Sequence, residues 1–206
     1  MKKTVKTMTL DGGCFCLNFV NTIYSRTEEK TYDYLNSYDD VLVWSTRVKL
    51  LHTSRIRELS TFAERDKNIT EKKLKEIIKK REILYSALVS VIRNKSVDEI
   101  LAGKLNSILS VALSKLQLKI YGQKIDVTWN ENEIDLFEPL WAVYKDAFEI
   151  MTSVPVNRIK ECKSCGWLFL DKSKNNSRTW CSMQSCGSLE KSKRYYHKVK
   201  KLKTAK

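Results

Sequence analysis

Four cysteines near the end of the chain constrain its fold more than any other feature. Cys162 and Cys165 form a C-x2-C pair, and after fifteen residues Cys181 and Cys186 form a C-x4-C pair. Four thiolates complete the tetrahedral coordination that is typical of structural zinc sites. Because no position remains for water, the pattern predicts one structural Zn²⁺ and no metal-based catalysis. His197 is an alternative ligand further along the chain.

The cysteine pairs also bear on the cellular compartment. In a reducing compartment such pairs bind metal more often than they form disulfides. The first thirteen residues contain no apolar segment of the kind found in signal peptides, and no apolar run is long enough to span a membrane. We therefore expect a cytoplasmic protein without a membrane partner. Cys14 and Cys16, which lie in an apolar stretch, are expected to pack as small buried hydrophobes.

Zinc is expected to contribute much of the stability of this segment. A module of about fifty residues builds only a small hydrophobic core. Structural zinc supplies on the order of 10 kcal/mol of folding free energy in small fingers. We therefore expect the segment from Ile159 to Tyr196 to lose its order without the metal.

Positive charge is concentrated in the same part of the chain. The 206 residues carry a formal net charge of +14. Residues 158–206 contain 14 Lys and Arg against 3 Asp and Glu, whereas residues 1–157 contain 24 against 21. A localised basic module indicates binding to nucleic acid or to another anionic surface. The alternative is a solvated basic face that only improves solubility.

The first 157 residues have mainly helical periodicity. Apolar residues recur at three- and four-residue steps over residues 38–51, 70–93 and 136–151. Ser96 and Glu99 have the spacing of a capping box at the start of a further helix.

Two segments of the chain are expected to contain β-structure. Apolar and polar residues alternate on both sides of Gly122, which predicts a β-hairpin. Around the first cysteine pair, RIKECKSCGWLFLD predicts a strand, a turn and a second strand, and a helix is expected from about Cys186. We therefore predict an α+β fold: a mainly helical domain with a small hairpin over residues 1–157, then a treble-clef or ribbon-like zinc finger over residues 158–206.

Two motifs resemble those of known families. The run CKSCGWLFLDKSKNNSRTWCSMQSCG, residues 162–187, is similar to the CGNR zinc finger, and GGCFCLNFVNT, residues 12–22, resembles the GG-x-L-x-LDFVNT opening of the ABATE domain. The resemblance implies a bacterial, stress-related transcription regulator with a DNA-binding finger. The chain departs from these motifs at Ser188 and Leu189, where the finger has Asn and Arg, and at Asn18, where the opening has an acidic residue.

Three functional hypotheses follow, and the leading one is a regulator that binds DNA. Basic side chains beside a rigid zinc site can contact phosphates. The candidates are Lys172, Lys174, Arg178, Lys191, Arg194 and Lys198. On the helix expected from about Cys186, Leu189, Tyr196 and Val199 are expected to face inward.

A small-molecule sensor is the second hypothesis, and a protein-interaction adaptor is the third. For the sensor, the candidate ligand-binding residues are Asn18, Asn21, Thr22 and Arg26, of which 18, 22 and 26 would share one side of a helix. Buried structural hydrogen bonds are the alternative role of these four. The sequence contains no Ser/His/Asp arrangement and no glycine-rich phosphate loop, so an enzyme is not expected.

Overall fold

The protein has an α+β fold in which helices come first and a cysteine-rich segment follows. The computed structural model describes residues 3–204, apart from the side chains of residues 198, 199 and 201–204. The helices in chain order are α1 (Phe15–Val20), α2 (Tyr38–Arg47), α3 (Thr53–Glu64), α4 (Lys67–Ile92), α5 (Glu99–Leu113), α6 (Glu138–Ser153) and α7 (Ser188–Thr204). The strands are β1 (Leu116–Tyr121), β2 (Lys124–Trp129), β3 (Ile159–Glu161) and β4 (Leu168–Leu170). The predicted fold class is confirmed.

Helical periodicity located the main helices of the first segment. The periodic stretches over residues 38–51, 70–93 and 136–151 correspond to α2, α4 and α6. Helix α2 begins with a capping box in which Ser37 and Asp40 each accept a hydrogen bond from the other residue's backbone N–H. Apolar periodicity therefore gave the positions of these helices, while polar side chains set where they begin.

The capping box predicted for α5 is wrong. The residue before the helix is Asp98, and its carboxylate accepts a hydrogen bond from the backbone N–H of Leu101 at 2.8 Å. Because α5 begins at Glu99, Ser96 lies too far before the first turn to cap it. The spacing of Ser96 and Glu99 was therefore coincidental.

Strands β1 and β2 form the predicted hairpin around Gly122. They pair antiparallel, with Leu118 opposite Val127 and Ile120 opposite Ile125. These four side chains share one face of the hairpin and are 57–65% exposed. The hairpin therefore presents an apolar face to solvent.

The short helix α1 lies at the centre of the hydrophobic core. It packs against α4, α6 and β4, and its residues from Cys16 to Val20 are buried. The ring of Phe19 meets that of Trp44 on α2 at 5.5 Å. The same core includes Trp167, Leu168 and Phe169 of the cysteine-rich segment. The two segments therefore share apolar contacts through α1.

Buried hydrogen bonds also join the two segments. The side-chain amide of Asn21 donates to the carbonyl of Leu168 at 2.8 Å and accepts from its N–H at 2.9 Å. The indole of Trp167 donates to the carbonyl of Ile23 at 2.8 Å. Strand β4 is therefore held by the helical segment as well as by its own partner β3. The division into two domains, residues 1–157 and 158–206, stays a prediction.

Candidate zinc centre and basic surface

The first cysteine pair lies in the turn between β3 and β4. Cys162 directly follows β3, and its backbone N–H donates to the carbonyl of Trp167 at 2.8 Å, while Gly166 donates to the carbonyl of Cys162 at 2.9 Å. Gly166 has a φ of +72°, and a Cβ there would come within 2.9 Å of the Cβ of Arg26. The tight turn and the packed helical segment therefore both require glycine after Cys165.

The second cysteine pair lies at the start of the last helix. Cys181 ends the loop after β4, and Cys186 lies in a single π-helical turn, Met183–Gly187, directly before α7. The side chain of Ser182 caps this turn by accepting from the N–H of Ser185. The polar turn therefore brings both sulfurs to the base of α7.

The four sulfurs converge in the geometry that zinc requires. Those of Cys162, Cys165, Cys181 and Cys186 all lie within 4.8 Å of one another. The sulfur of Cys181 is 3.7 Å from the sulfurs of both Cys165 and Cys186. A tetrahedron with zinc–sulfur bonds of about 2.3 Å has edges of about 3.8 Å. The donor set and its spacing therefore fit a closed, four-thiolate zinc site, and His197 does not belong to the cluster.

The four cysteine thiols of the cluster shift one another's pKa values in opposite directions. Hydrogen bonds from the neighbouring sulfurs, that of Cys165 foremost, hold the pKa of Cys162 well below its ordinary value. The hydrogen bond with Cys162 raises the pKa of Cys181 above its ordinary value. Without a cation the cluster therefore does not favour thiolate at all four sulfurs. A divalent cation reverses this preference because it stabilises thiolate at every ligand.

The loop between β4 and the second cysteine pair is organised by Asp171, which sequence reasoning missed. Its buried carboxylate accepts from the ammonium of Lys160 at 2.7 Å and from the backbone N–H groups of Ser173 and Arg178 at 2.9 Å. Burial raises the pKa of Asp171, but the hydrogen bonds from Lys160 and Ser173 outweigh it and hold the pKa well below its ordinary value. An aspartate directly after an apolar strand was the available signal.

The candidate cations of this loop differ in their partners. Lys172 and Lys174 are both exposed. Lys172 donates a hydrogen bond to the carbonyl of Gly13 at 3.1 Å. Arg178 is partly buried, donates to the carbonyl of Cys181 at 2.6 Å and stacks 4.8 Å from the ring centroid of Phe169. Arg178 therefore supports the cysteine loop from within.

Helix α7 carries the remaining candidate cations. Lys191 and Arg194 are exposed, and the side chain of Lys198 lies outside the described residues. The expectation that Leu189 and Tyr196 face inward is wrong, since they are 48% and 65% exposed. The side chain of Val199, for which the same was expected, lies outside the described residues. Among the described side chains of α7, those of residues 188–197 and 200, none belongs to the hydrophobic core.

The four candidate ligand-binding residues all make internal hydrogen bonds. Asn18 accepts from the N–H of Gly12 at 2.9 Å, and Asn21 binds the backbone of Leu168. Helix α1 ends at Val20, so the expectation that one helix carries residues 18, 22 and 26 is wrong. The ligand-binding role of the four stays a prediction, and the bonds of Asn18 and Asn21 favour the structural alternative.

Thr22 and Arg26 belong to a buried ionic network that the sequence did not reveal. Arg81 on α4 is 2% exposed and binds both carboxylate oxygens of Asp33, at 2.9 and 2.6 Å, and the hydroxyl of Thr22 at 3.0 Å. Arg26 binds Glu82 at 2.7 Å, and Glu82 also accepts from Arg81 at 2.8 Å. Arg81 lies on the apolar side of α4, where the sequence pattern predicts core contacts and not an ion pair.

Comparisons with known proteins agree with this architecture. Residues 158–199 match the family model described as CGNR zinc finger. Residues 13–154 match the family model ABATE, described as "Putative stress-induced transcription regulator". Neither description names an enzyme. A search of curated proteins found no significant match.

The match to ABATE covers most of the chain, and the finger follows it in the order expected from the two motifs. Among the described residues, no helix has the length and apolar character needed to cross a bilayer. The chain belongs to the ABATE family and carries a CGNR zinc finger after the ABATE domain.

Proposed function

We propose that the chain is a DNA-binding transcription regulator whose zinc centre is structural. The observation that carries this proposal is the position of α7, a helix rich in Lys and Arg that is exposed over residues 191–197 and begins two residues after the candidate ligand Cys186. A zinc ion bound by all four cysteines would fix the first turn of α7 relative to the β3–β4 hairpin. The helix would then present its side chains to DNA from a rigid base.

The side chains of α7 suit a phosphate backbone. Lys191 and Arg194 are exposed and lie three residues apart, so they share one face of the helix. Tyr195 and Tyr196 are 72% and 65% exposed. Exposed tyrosines beside cations can donate hydrogen bonds to phosphate or stack on an unpaired base.

The charge available for DNA is smaller than the net charge suggests. Lys160 is held by Asp171, and Arg158 donates to the carbonyls of Asp171 and Ser173. With Arg178 bound to Cys181, three of the finger's cations are used within the fold. Lys174, Lys191 and Arg194 are therefore the leading phosphate contacts.

A salt titration tests this proposal. The full-length, zinc-loaded chain is titrated against a random-sequence DNA duplex by fluorescence anisotropy at several salt concentrations. Each phosphate contact contributes a slope of about −0.9 in log K against log salt. The triple variant Lys174→Ala, Lys191→Ala, Arg194→Ala should therefore flatten the slope by about 2–3 units.

A matched control removes the same charge elsewhere. Lys72, Lys75 and Lys79 are exposed on α4, and their triple alanine variant should keep the wild-type slope. Equal losses in both variants would mean that net charge, and not α7, governs the interaction. If neither DNA nor RNA binds at low salt, the basic helix is a solvated surface and the proposal is wrong.

Sequence preference is expected to be weak. Ser188 and Leu189 stand where the family motif has Asn and Arg, so any contact that those residues make is missing here. We expect comparable affinity for unrelated duplexes of equal length. We propose that the protein acts in the bacterial cytoplasm and has no enzymatic activity. Binding of a small-molecule effector is a further proposal.

A protein-interaction role is the second candidate, favoured by the exposed apolar face of the β1–β2 hairpin. An isolated two-stranded hairpin is marginally stable, and contiguous exposed apolar patches commonly mark interaction surfaces. The exposed face of the hairpin consists of four apolar side chains, those of Leu118, Ile120, Ile125 and Val127, and these carry no charge that would select a different partner. The face can therefore pack against the same face of a second copy of the chain.

Sedimentation equilibrium separates this candidate from the first. A dimer should form through the hairpin and dissociate in the double variant Leu118→Lys, Ile125→Lys. The control Gln117→Lys, Tyr121→Lys changes two exposed side chains of the opposite face and should stay dimeric. A wild-type chain that is monomeric at high concentration would exclude this role for the hairpin.

A further inference from the structure

A second cluster of metal-binding side chains lies outside the finger. The sulfurs of Cys14 and Cys16, at the start of α1, are 3.6 Å apart. Asp146 reaches them from α6, and the two sulfurs and a carboxylate oxygen all lie within 4.8 Å of one another. These three side chains come from two helices that pack together in the core, so the fold holds them in place.

The sulfur spacing is that of metal ligands. A disulfide bond is about 2.05 Å long, whereas two thiolates on one tetrahedral zinc ion are about 3.8 Å apart. The sulfurs of the finger are separated by 3.7 Å, almost the same distance as the 3.6 Å found here. A contact between two thiols gives a similar spacing, so the third donor decides between the two.

Asp146 is oriented as a supporting or ligating carboxylate would be. Its Oδ2 accepts from the backbone N–H of Cys16 at 2.7 Å. Metal-binding carboxylates are commonly fixed by such a hydrogen bond. Asp146 and Cys14 are both partly exposed, so an ion can enter from solvent, while Cys16 is buried behind them.

The opening motif of the ABATE domain does not fix the residue type at either cysteine position. In the opening motif GG-x-L-x-LDFVNT, Cys14 and Cys16 occupy the two variable positions. The motif therefore does not require sulfur at either position. Two thiolates with one carboxylate suit Zn²⁺, which accepts sulfur and oxygen ligands, and not Mg²⁺ or Ca²⁺, which bind through oxygen.

We propose that Cys14, Cys16 and Asp146 form a second, exchangeable site for a zinc-like divalent cation. Three protein ligands leave one coordination position for water, in contrast to the closed four-cysteine site. The ion is therefore expected to bind more weakly and to exchange faster than the ion of the finger. This inference does not depend on DNA binding.

Cobalt titration of the full-length chain, loaded with one equivalent of zinc to fill the finger, tests the site. Co²⁺ is added in the presence of a phosphine reductant, and absorption from thiolate-to-cobalt charge transfer is recorded together with the zinc released. The wild type should bind one equivalent of Co²⁺ with this absorption and release no zinc. The variant Cys14→Ser should lose the absorption and keep its finger zinc.

Two further variants distinguish ligation from a structural role. Asp146→Asn should weaken Co²⁺ binding by about tenfold or more, the effect of losing even a supporting group at a metal site. Glu149→Gln changes an exposed carboxylate on the same helix and should bind as the wild type does. Cys14 is only partly buried, so Cys14→Ser remains informative if the buried Cys16→Ser does not fold.

Three outcomes would overturn the inference. One is the absence of a cobalt–thiolate band in the wild type. Another is a band that persists in Cys14→Ser with release of one equivalent of zinc, since the cobalt would then occupy the finger. The third is a disulfide between Cys14 and Cys16 in the reduced, cobalt-treated protein by mass spectrometry.

Discussion

The helical segment and the cysteine-rich segment stabilise their buried polar groups by different means. In the helical segment Arg81 is enclosed by Asp33, Glu82 and the hydroxyl of Thr22, so protein groups alone balance its charge. In the cysteine-rich segment four sulfurs face one another, and only a cation can balance four thiolates. From this comparison we expect the first segment to keep its structure without metal and the second to depend on zinc.

Strand β4 does not follow this division. By sequence it belongs to the finger, but its backbone is bound by Asn21 and its side chains lie in the core around α1. The response to zinc loss should therefore change within the finger, between β4 and the loop that follows it.

The largest effect is expected from removing a zinc ligand. Cys181→Ser should release the one zinc ion of the finger. The finger should then lose folding free energy on the order of 10 kcal/mol, as small zinc fingers do. Hydrogen exchange should then show lost protection over residues 171–196 and retained protection over 168–170. Cys14→Ser is the control and should keep the finger zinc. Full zinc retention in Cys181→Ser would contradict the ligand assignment.

The next effect concerns the helical segment alone. Arg81→Met leaves the carboxylate of Asp33 without its partner, which should lower the free energy of unfolding by about 3 kcal/mol. This is the low end for a broken buried pair, because Asp33 keeps some contact with water. The melting temperature should fall by about 6–12 °C.

The metal dependence of the Arg81 effect sharpens the comparison. The decrease in melting temperature should be equal in zinc-loaded and zinc-free protein, because the Arg81 network contains no metal ligand. Lys79→Met, an exposed change on the same helix, should stay within about 0.5 kcal/mol of the wild type. A decrease that appears only with zinc would show that the two segments are not stabilised separately.

A smaller effect is expected at the contact between the segments. Asn21→Leu leaves the N–H and carbonyl of Leu168 buried without their side-chain partner, which should cost about 2 kcal/mol. Hydrogen exchange at β4 should speed up even with zinc bound. Asn106→Leu, an exposed change on α5, is the matched control. Unchanged protection at residues 168–170 would mean that apolar packing alone holds β4.

The smallest effect is expected from the exposed ion pair that also connects the segments. Arg93, directly after α4, makes two hydrogen bonds to Glu161 on β3, at 2.9 and 2.7 Å. Because Arg93 is half-exposed, Arg93→Ala should cost less than about 1 kcal/mol, and high salt should reduce this cost further. Urea unfolding at low and high salt measures both. The cost of Asn21→Leu should not vary with salt, which distinguishes the buried contact from the exposed one.

Sequence patterns predicted the parts of this protein that depend on local spacing. Periodicity located α2, α4 and α6, because a helix repeats its buried face every three to four residues. The cysteine spacings identified the four sulfurs that the structure brings together. The partition of charge between the two segments is a property of the sequence and required no structure.

The tertiary structure alone decided which polar groups act together. Asn21 and Leu168 are 147 residues apart, and Cys16 and Asp146 are 130 apart, so no local pattern relates them. By its charge Arg178 is a candidate DNA contact, but its guanidinium donates a hydrogen bond to the carbonyl of Cys181 within the fold. The physical reason is that spacing along the chain records which side chains share a helix face or a turn, whereas the partner of a buried polar group is set by how distant elements pack around α1.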